Sequence, residues 1–190
     1  DWLLAWIDKN PLFKGVNWTC GQEASIRLMN LAYGALLLEN VVKPTPLLHW
    51  IVDAHLKRIA PTLSYAIGQA NNHGSAESVA LFIGGSWLMK LGDSRGEKLY
   101  EVGRRWLVDR ALLLIFSDGT GNQYSTTYHR ANLEVFCLAE IWRRKLGLPS
   151  FPREFSERIR RGGQWLQQLS DLGSGDAPNF GANDGSHLFS

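Results

Sequence analysis

Four short polar clusters stand out in this chain: Asn17-Trp18, Asn71-Asn72-His73, Gln123 to His129, and Asn179 to Asp184. Each falls where a loop meets a helical segment. Asn and His side chains can hydrogen-bond a substrate carboxylate, and the free N–H groups of a helix start reinforce them. Asn71-Asn72-His73 lies just ahead of a helix, where a turn and a cap would need only one Asn. Tyr128-His129 falls in the first turn of a later helix. The positive end of a helix favours a tyrosinate and lowers a phenol from its usual pKa of about 10. A tyrosine so placed can exchange a proton with a substrate. Packing is the competing role, because Tyr128, Asn132, Val135, Ala139 and Trp142 follow one helical face. The chemistry on offer is the stabilisation of a carboxylate while a proton moves nearby.

Other chemistries are poorly supplied. Glu23 and Glu77 sit near helix starts without a pairing signature and read as first-turn helix charges, which weakens a glycoside-hydrolase assignment. His49 and His55 are spaced too far apart to share one helical face, and no Cys-x-x-Cys occurs, so no metal is expected. No cofactor is expected in this segment either: no phosphate-cradling glycine motif follows a strand, and Gly119-Thr120-Gly121 reads as a turn. Most of the tryptophans fall mid-helix, which suits a core more than sugar stacking.

The elements that must position these residues are helices. Segments of helical character run from about Gln22 to Glu39, from Thr45-Pro46 to Ala60 with a short continuation to Ile67, and from Ser75 to Leu91. Others run from Asp93-Ser94 to Phe116, Ser125 to Leu146 and Glu154 to Leu169, followed by a long polar loop. Thr45 followed by Pro46 is a strong start signal, and Pro61 ends or kinks the second helix. Strand alternation is scarce. Glu23 and Arg27 are spaced as a helix-surface ion pair. Short loops make neighbouring helices antiparallel, so alternate loops emerge on one end of the array. The loops before the first, third and fifth of these helices therefore share a face, and they carry three of the four clusters.

Composition sets the outer bounds. With 190 residues, 20 Lys+Arg against 18 Asp+Glu and 45% hydrophobic residues, the chain is an ordinary globular domain. A charge of +2 argues against a nucleic-acid partner. No apolar stretch approaches the length of a membrane span. Cys20 and Cys137 are expected as free thiols, with Cys137 buried. The segment carries no secretory leader and starts and stops without boundary signals, so it is read as part of a longer protein.

In combination, four stretches resemble the heparinase II/III-like polysaccharide lyases. They are Gly15-Val16-Asn17-Trp18 with Glu23 to Arg27, then Asn71-Asn72-His73, then Asp118-Gly119 through Ser125 to His129, and last Asn179 to Gly185. The resemblance implies an all-α fold, an incomplete (α/α) toroid of antiparallel helical hairpins, with a β-sandwich domain after residue 190. It implies β-elimination on an acidic polysaccharide such as heparan sulfate or alginate, after export to the periplasm or outside the cell. The carboxylate-neutralising residue of the family falls on Asn72 or His73, and its catalytic tyrosine on Tyr128. Asn17, Trp18, Arg27, Asn71, Gln123, His129 and Asn183 become candidates for substrate binding. Gln123 stands where the family often has an acid, and a further histidine is expected from the absent domain. A silent glycan-binding toroid and an all-α glycoside hydrolase remain the alternatives.

Overall fold

The computed structural model describes residues 2–184. The helices are α1 (Trp2–Lys9), α2 (Gly21–Leu37), α3 (Pro46–Ile59), α4 (Leu63–Gly68), α5 (Asn72–Lys90), α6 (Arg95–Leu114), α7 (Thr126–Lys145) and α8 (Arg153–Leu169). Two 3₁₀ turns, Val16–Trp18 and Ala60–Thr62, complete the helical elements. Among the described residues the only β pairing is an isolated bridge, Ile115 to Gly121, which closes the turn before α7. The all-α expectation holds.

Local chemistry accounts for the breaks. The Thr45 hydroxyl accepts from the Leu48 N–H at 3.2 Å with Pro46 in the first helical turn. Pro61 has no N–H to continue α3, so the chain tightens into a 3₁₀ turn before α4. Helix α5 starts three residues earlier than Ser75, because the Asn71 side chain caps it by accepting from the His73 N–H at 3.0 Å. Asn72 and His73 thus belong to a helical turn and not to a loop.

Helix α5 is the centre of the array. Nearly every residue from Asn72 to Leu88 is buried, and α2, α3, α4, α6 and α7 all pack on it. Its contact with α6 is close enough to need glycine: a Cβ on Gly103 would lie 2.3 Å from the Phe82 nitrogen, and one on Gly85 2.4 Å from the Tyr100 nitrogen. Trp87 and Trp142 meet in the core with ring centroids 5.8 Å apart and planes inclined at 60°, their indole N–H groups donating to the Val41 carbonyl and the Ser86 hydroxyl. A smaller cluster of Trp18, Ile51 and Ala54 packs beside α1.

Three expectations are corrected here. Cys137 is a free thiol, as is Cys20, but it is exposed, because its position on α7 faces a groove beside α8 and not the core. Glu77 is not a solvated first-turn charge; it is buried beneath the start of α2, where it abuts Gly21. Arg27 makes no close ion pair with Glu23, whose charge acts on it only at longer range. It turns inward, donating from Nε to His55 Nε2 at 3.2 Å and from its terminus to the Asn17 carbonyl.

Candidate active site

Three helix N-termini meet at one cavity of about 470 Å³. The first turn of α2 contributes Gln22 and Glu23, with Cys20 just ahead of it and Ile26 one turn on. The start of α5 contributes Asn71, Asn72 and His73, and the approach and first turn of α7 contribute Gln123 and Tyr128. Asp184 closes the rim from the far end of the chain. The positive ends of three helices thus point at one space, which favours an anionic group there. Among the described lining residues there is no Lys or Arg.

Asn72 is held by a relay of carboxamides. Its Nδ2 donates to Gln22 Oε1 at 3.0 Å, and its Oδ1 accepts from Gln123 Nε2 at 3.0 Å. Gln123 Oε1 in turn accepts from Asn132 Nδ2 at 3.0 Å, and Asn132 Oδ1 accepts from the Ser75 hydroxyl at 2.6 Å. The single Ser75 hydroxyl proton is shared between Asn132 Oδ1 and the Asn72 carbonyl, which lies 2.9 Å from Oγ, and this closes the circuit. Every amide in the chain is oriented by its neighbours, and a carboxamide nitrogen carries two N–H groups. Asn72 therefore keeps a second N–H for a ligand in a fixed direction. His73 is half-buried, and burial lowers its pKa below the usual value, opposed by the nearby Glu23.

Tyr128 is placed by the cap of α7, where Ser125 Oγ accepts from the Tyr128 N–H at 3.2 Å. Its hydroxyl donates to Asp184 Oδ2 at 2.9 Å. The expected lowering of the phenol is corrected: its pKa is raised, first because its proton is shared with the Asp184 carboxylate and then through burial. A full charge in hydrogen-bond contact outweighs the half-charge of a helix end.

Five other sequence candidates lie elsewhere. Trp18 is buried, its ring against Trp6, Phe13 and His55. Arg27 lies over the Trp6 and Trp18 rings and Asn17 bonds Asn10, so this trio braces the segment between α1 and α2. His129 is buried on the opposite side of α7, its Nε2 3.2 Å from the Gly162 carbonyl of α8 and its ring edge-on to Trp165. Consecutive residues on a helix point about 100° apart, and here that turns His129 towards α8 while Tyr128 faces the cavity. Asn183 donates to Asn179 at 2.8 Å and does not line the cavity. Sequence reasoning passed over Gln22 and Asp184 as site residues. The alternate-loop geometry that singled out the helix starts applies equally to Gln22, and Asp184 ends the fourth polar cluster.

No protein-family model and no curated protein matches this sequence. Solved structures do. A heparinase III structure superimposes with a TM-score of 0.62 at 21% identity over 89% of this chain and 30% of its own. A heparan sulfate lyase from Pedobacter heparinus gives 0.61 at 19% identity over 93% of this chain and 29% of its own. The chain has the helical-toroid fold of the heparinases. It spans about 30% of the length of these heparinases. Among its described residues no helix is long and apolar enough to cross a membrane, and no group of three or more His, Cys, Asp or Glu is placed to hold a metal ion.

Proposed function

We propose that this chain is the helical part of a polysaccharide lyase that cleaves a uronic-acid-containing polysaccharide, heparan-sulfate-like or alginate-like, by β-elimination. One observation carries the reading: Asn72, His73 and Tyr128 line a single cavity at the meeting of three helix N-termini. Removing the C5 proton of a uronate makes a carbanion beside a carboxylate, which is unfavourable while that carboxylate keeps its full charge. Oriented donors aimed at the carboxylate stabilise the enolate-like state in a site that needs no rearrangement. Asn72, locked by Gln22 and Gln123, and His73 beside it serve as those donors. Tyr128 reaches the same sugar ring and either protonates the leaving oxygen while the histidine of the further domain takes the C5 proton, or takes the C5 proton itself after its own phenolic proton has passed to the Asp184 carboxylate. Gln123, Asn71 and Gln22 line the sugar's path. A β-sandwich domain following residue 190 would supply the further histidine, and the whole protein would act on its acidic polysaccharide after export.

The test is made on the full-length protein with heparan sulfate and alginate. Elimination leaves a 4,5-unsaturated uronate that absorbs in the near ultraviolet. Tyr128→Phe, which removes only the hydroxyl, should lower the rate of its formation by at least roughly a hundredfold while leaving polysaccharide binding intact. Retention of full activity by that variant would remove Tyr128 from the reaction.

One observation favours a second reading. Glu23 and Asp184 both line the cavity, and a carboxylate pair is what an all-α glycoside hydrolase needs. Hydrolysis would release reducing ends without ultraviolet absorbance, and a silent glycan-binding toroid would release nothing.

A further inference from the structure

The tail that closes the cavity is strapped to α7 and is not a loose loop. The Thr126 N–H donates to the Phe180 carbonyl at 3.0 Å, and its hydroxyl donates to the Pro178 carbonyl at 2.7 Å. The Ser125 hydroxyl donates to the Ala182 carbonyl, and the Phe180 N–H returns a bond to Thr126 Oγ1 at 3.3 Å. Gly181 makes this approach possible. Its φ is +78°, and a Cβ there would lie 1.8 Å from the Tyr124 carbonyl oxygen. Strap carbonyls thus occupy donors at the start of α7, and the strap ends by setting the Asp184 carboxylate 2.9 Å from the Tyr128 hydroxyl.

We propose that Asp184 is the positioning residue for Tyr128: its carboxylate accepts the phenolic hydrogen bond, aims the hydroxyl along the cavity and keeps the proton on the oxygen at rest. The catalytic meaning of this pairing rests on the lyase reading; the pairing itself does not. The other titratable groups around the cavity are Cys20 and Glu23 from the α2 side and His73 from α5. Only Asp184 among them touches the Tyr128 hydroxyl, and burial of His73 disfavours the imidazolium that would oppose that carboxylate. The start of α7 acts against Asp184, but its Thr126 N–H is already taken by the Phe180 carbonyl and its Tyr128 N–H by Ser125. The upward direction of the phenol pKa agrees with that balance.

The test uses the full-length protein with ¹³C-labelled tyrosine, the Tyr128 resonance being identified by its loss in Tyr128→Phe. Asp184→Asn keeps the shape of the side chain and removes the charge. The ionisation constant of Tyr128 should rise on the order of tenfold, one pH unit downwards. Asp184→Glu, which restores a carboxylate on a longer arm, should recover part of that change. An unmoved Tyr128 titration in Asp184→Asn overturns the proposal, whatever the protein's activity. In the lyase assay the limb of the kcat profile governed by Tyr128 should move to lower pH with the same variant. A titration that moves while the profile stays in place denies Asp184 its positioning role. Absence of any unsaturated product overturns the lyase reading and leaves the Tyr128 titration to decide the pairing.

Discussion

His55 and Glu77 are buried ionisable groups whose effects on stability oppose each other. The His55 Nδ1–H donates to the Ile51 carbonyl at 2.7 Å and its Nε2 accepts from Arg27, so the neutral ring is the one that fits. Burial, opposed by the Ile51 bond and aided by the Arg27 charge, pushes its pKa down to about 4 from 6.5. The folded state then binds fewer protons than the unfolded chain between those values, and stability is lost as pH falls from about 6.5 to about 4. Burial pushes Glu77 the other way, up to about 7 from 4.5, against the pull of Arg58. Its contribution is present below about 4.5 and is lost as pH rises towards about 7. Each displacement corresponds to on the order of 3 kcal/mol, so the two nearly cancel across the shared window. Urea unfolding of Glu77→Gln should uncover the histidine half: stability rising by on the order of 3 kcal/mol from mildly acidic to near-neutral pH, against a flatter profile in the parent. Identical profiles for the two proteins would refute the assignment. The same burial logic explains why His129 belongs to the α7–α8 contact: its pKa is lowered by desolvation, with Gly162 its hydrogen-bond partner.

Helix-on-helix contact decides what a glycine is for. In the α5–α6 contact Gly103 brings backbone against backbone, and a methyl group there would meet the Phe82 nitrogen at 2.3 Å and the Leu81 carbonyl carbon at 2.7 Å. Gly103→Ala gains about 1 kcal/mol in helix propensity but forces the two helices apart, which costs more. A net loss of about 2 kcal/mol is expected, lowering the Tm by several degrees. Gly34, near the end of α2, has no atom within 4 Å of where its Cβ would be. Gly34→Ala should therefore stabilise by up to about 1 kcal/mol. Thermal unfolding of the pair checks the opposite signs, and equal effects would show that backbone proximity does not govern them.

Across the whole molecule, protection from unfolding should follow burial. Helix α5 is enclosed on all sides, whereas α1 contains no buried residue and packs against the small cluster around Trp18 and against Arg27. Native-state hydrogen exchange should find the slowest amides in α5 and the fastest helical amides in α1. Comparable protection in both would mean that the array opens only as a unit. The central position of α5 also matters for the cavity, since Asn72, His73 and the relay residue Ser75 stand on the best-enclosed helix. The side chains that orient the proposed carboxylate donors are thereby carried by the molecule's most constrained element.

Helix starts were legible in the sequence where they depend on neighbours within a turn, as with Thr45 before Pro46 and Ser125 ahead of Tyr128, whereas the Asn71 cap began α5 three residues before the expected Ser75. The alternation of loops between two ends followed from short connections, and with it the meeting of the starts of α5 and α7 at one cavity. The direction in which each side chain points was decided by tertiary structure, because a residue's environment comes from segments far away in the chain. Arg27 faces α3 and His129 faces α8, so neither reaches the cavity that their sequence neighbours line. Tyr128 carries the sharpest case. A helix start by itself lowers a phenol, and only the seating of the strap, 56 residues further on, brings the Asp184 charge close enough to reverse the sign.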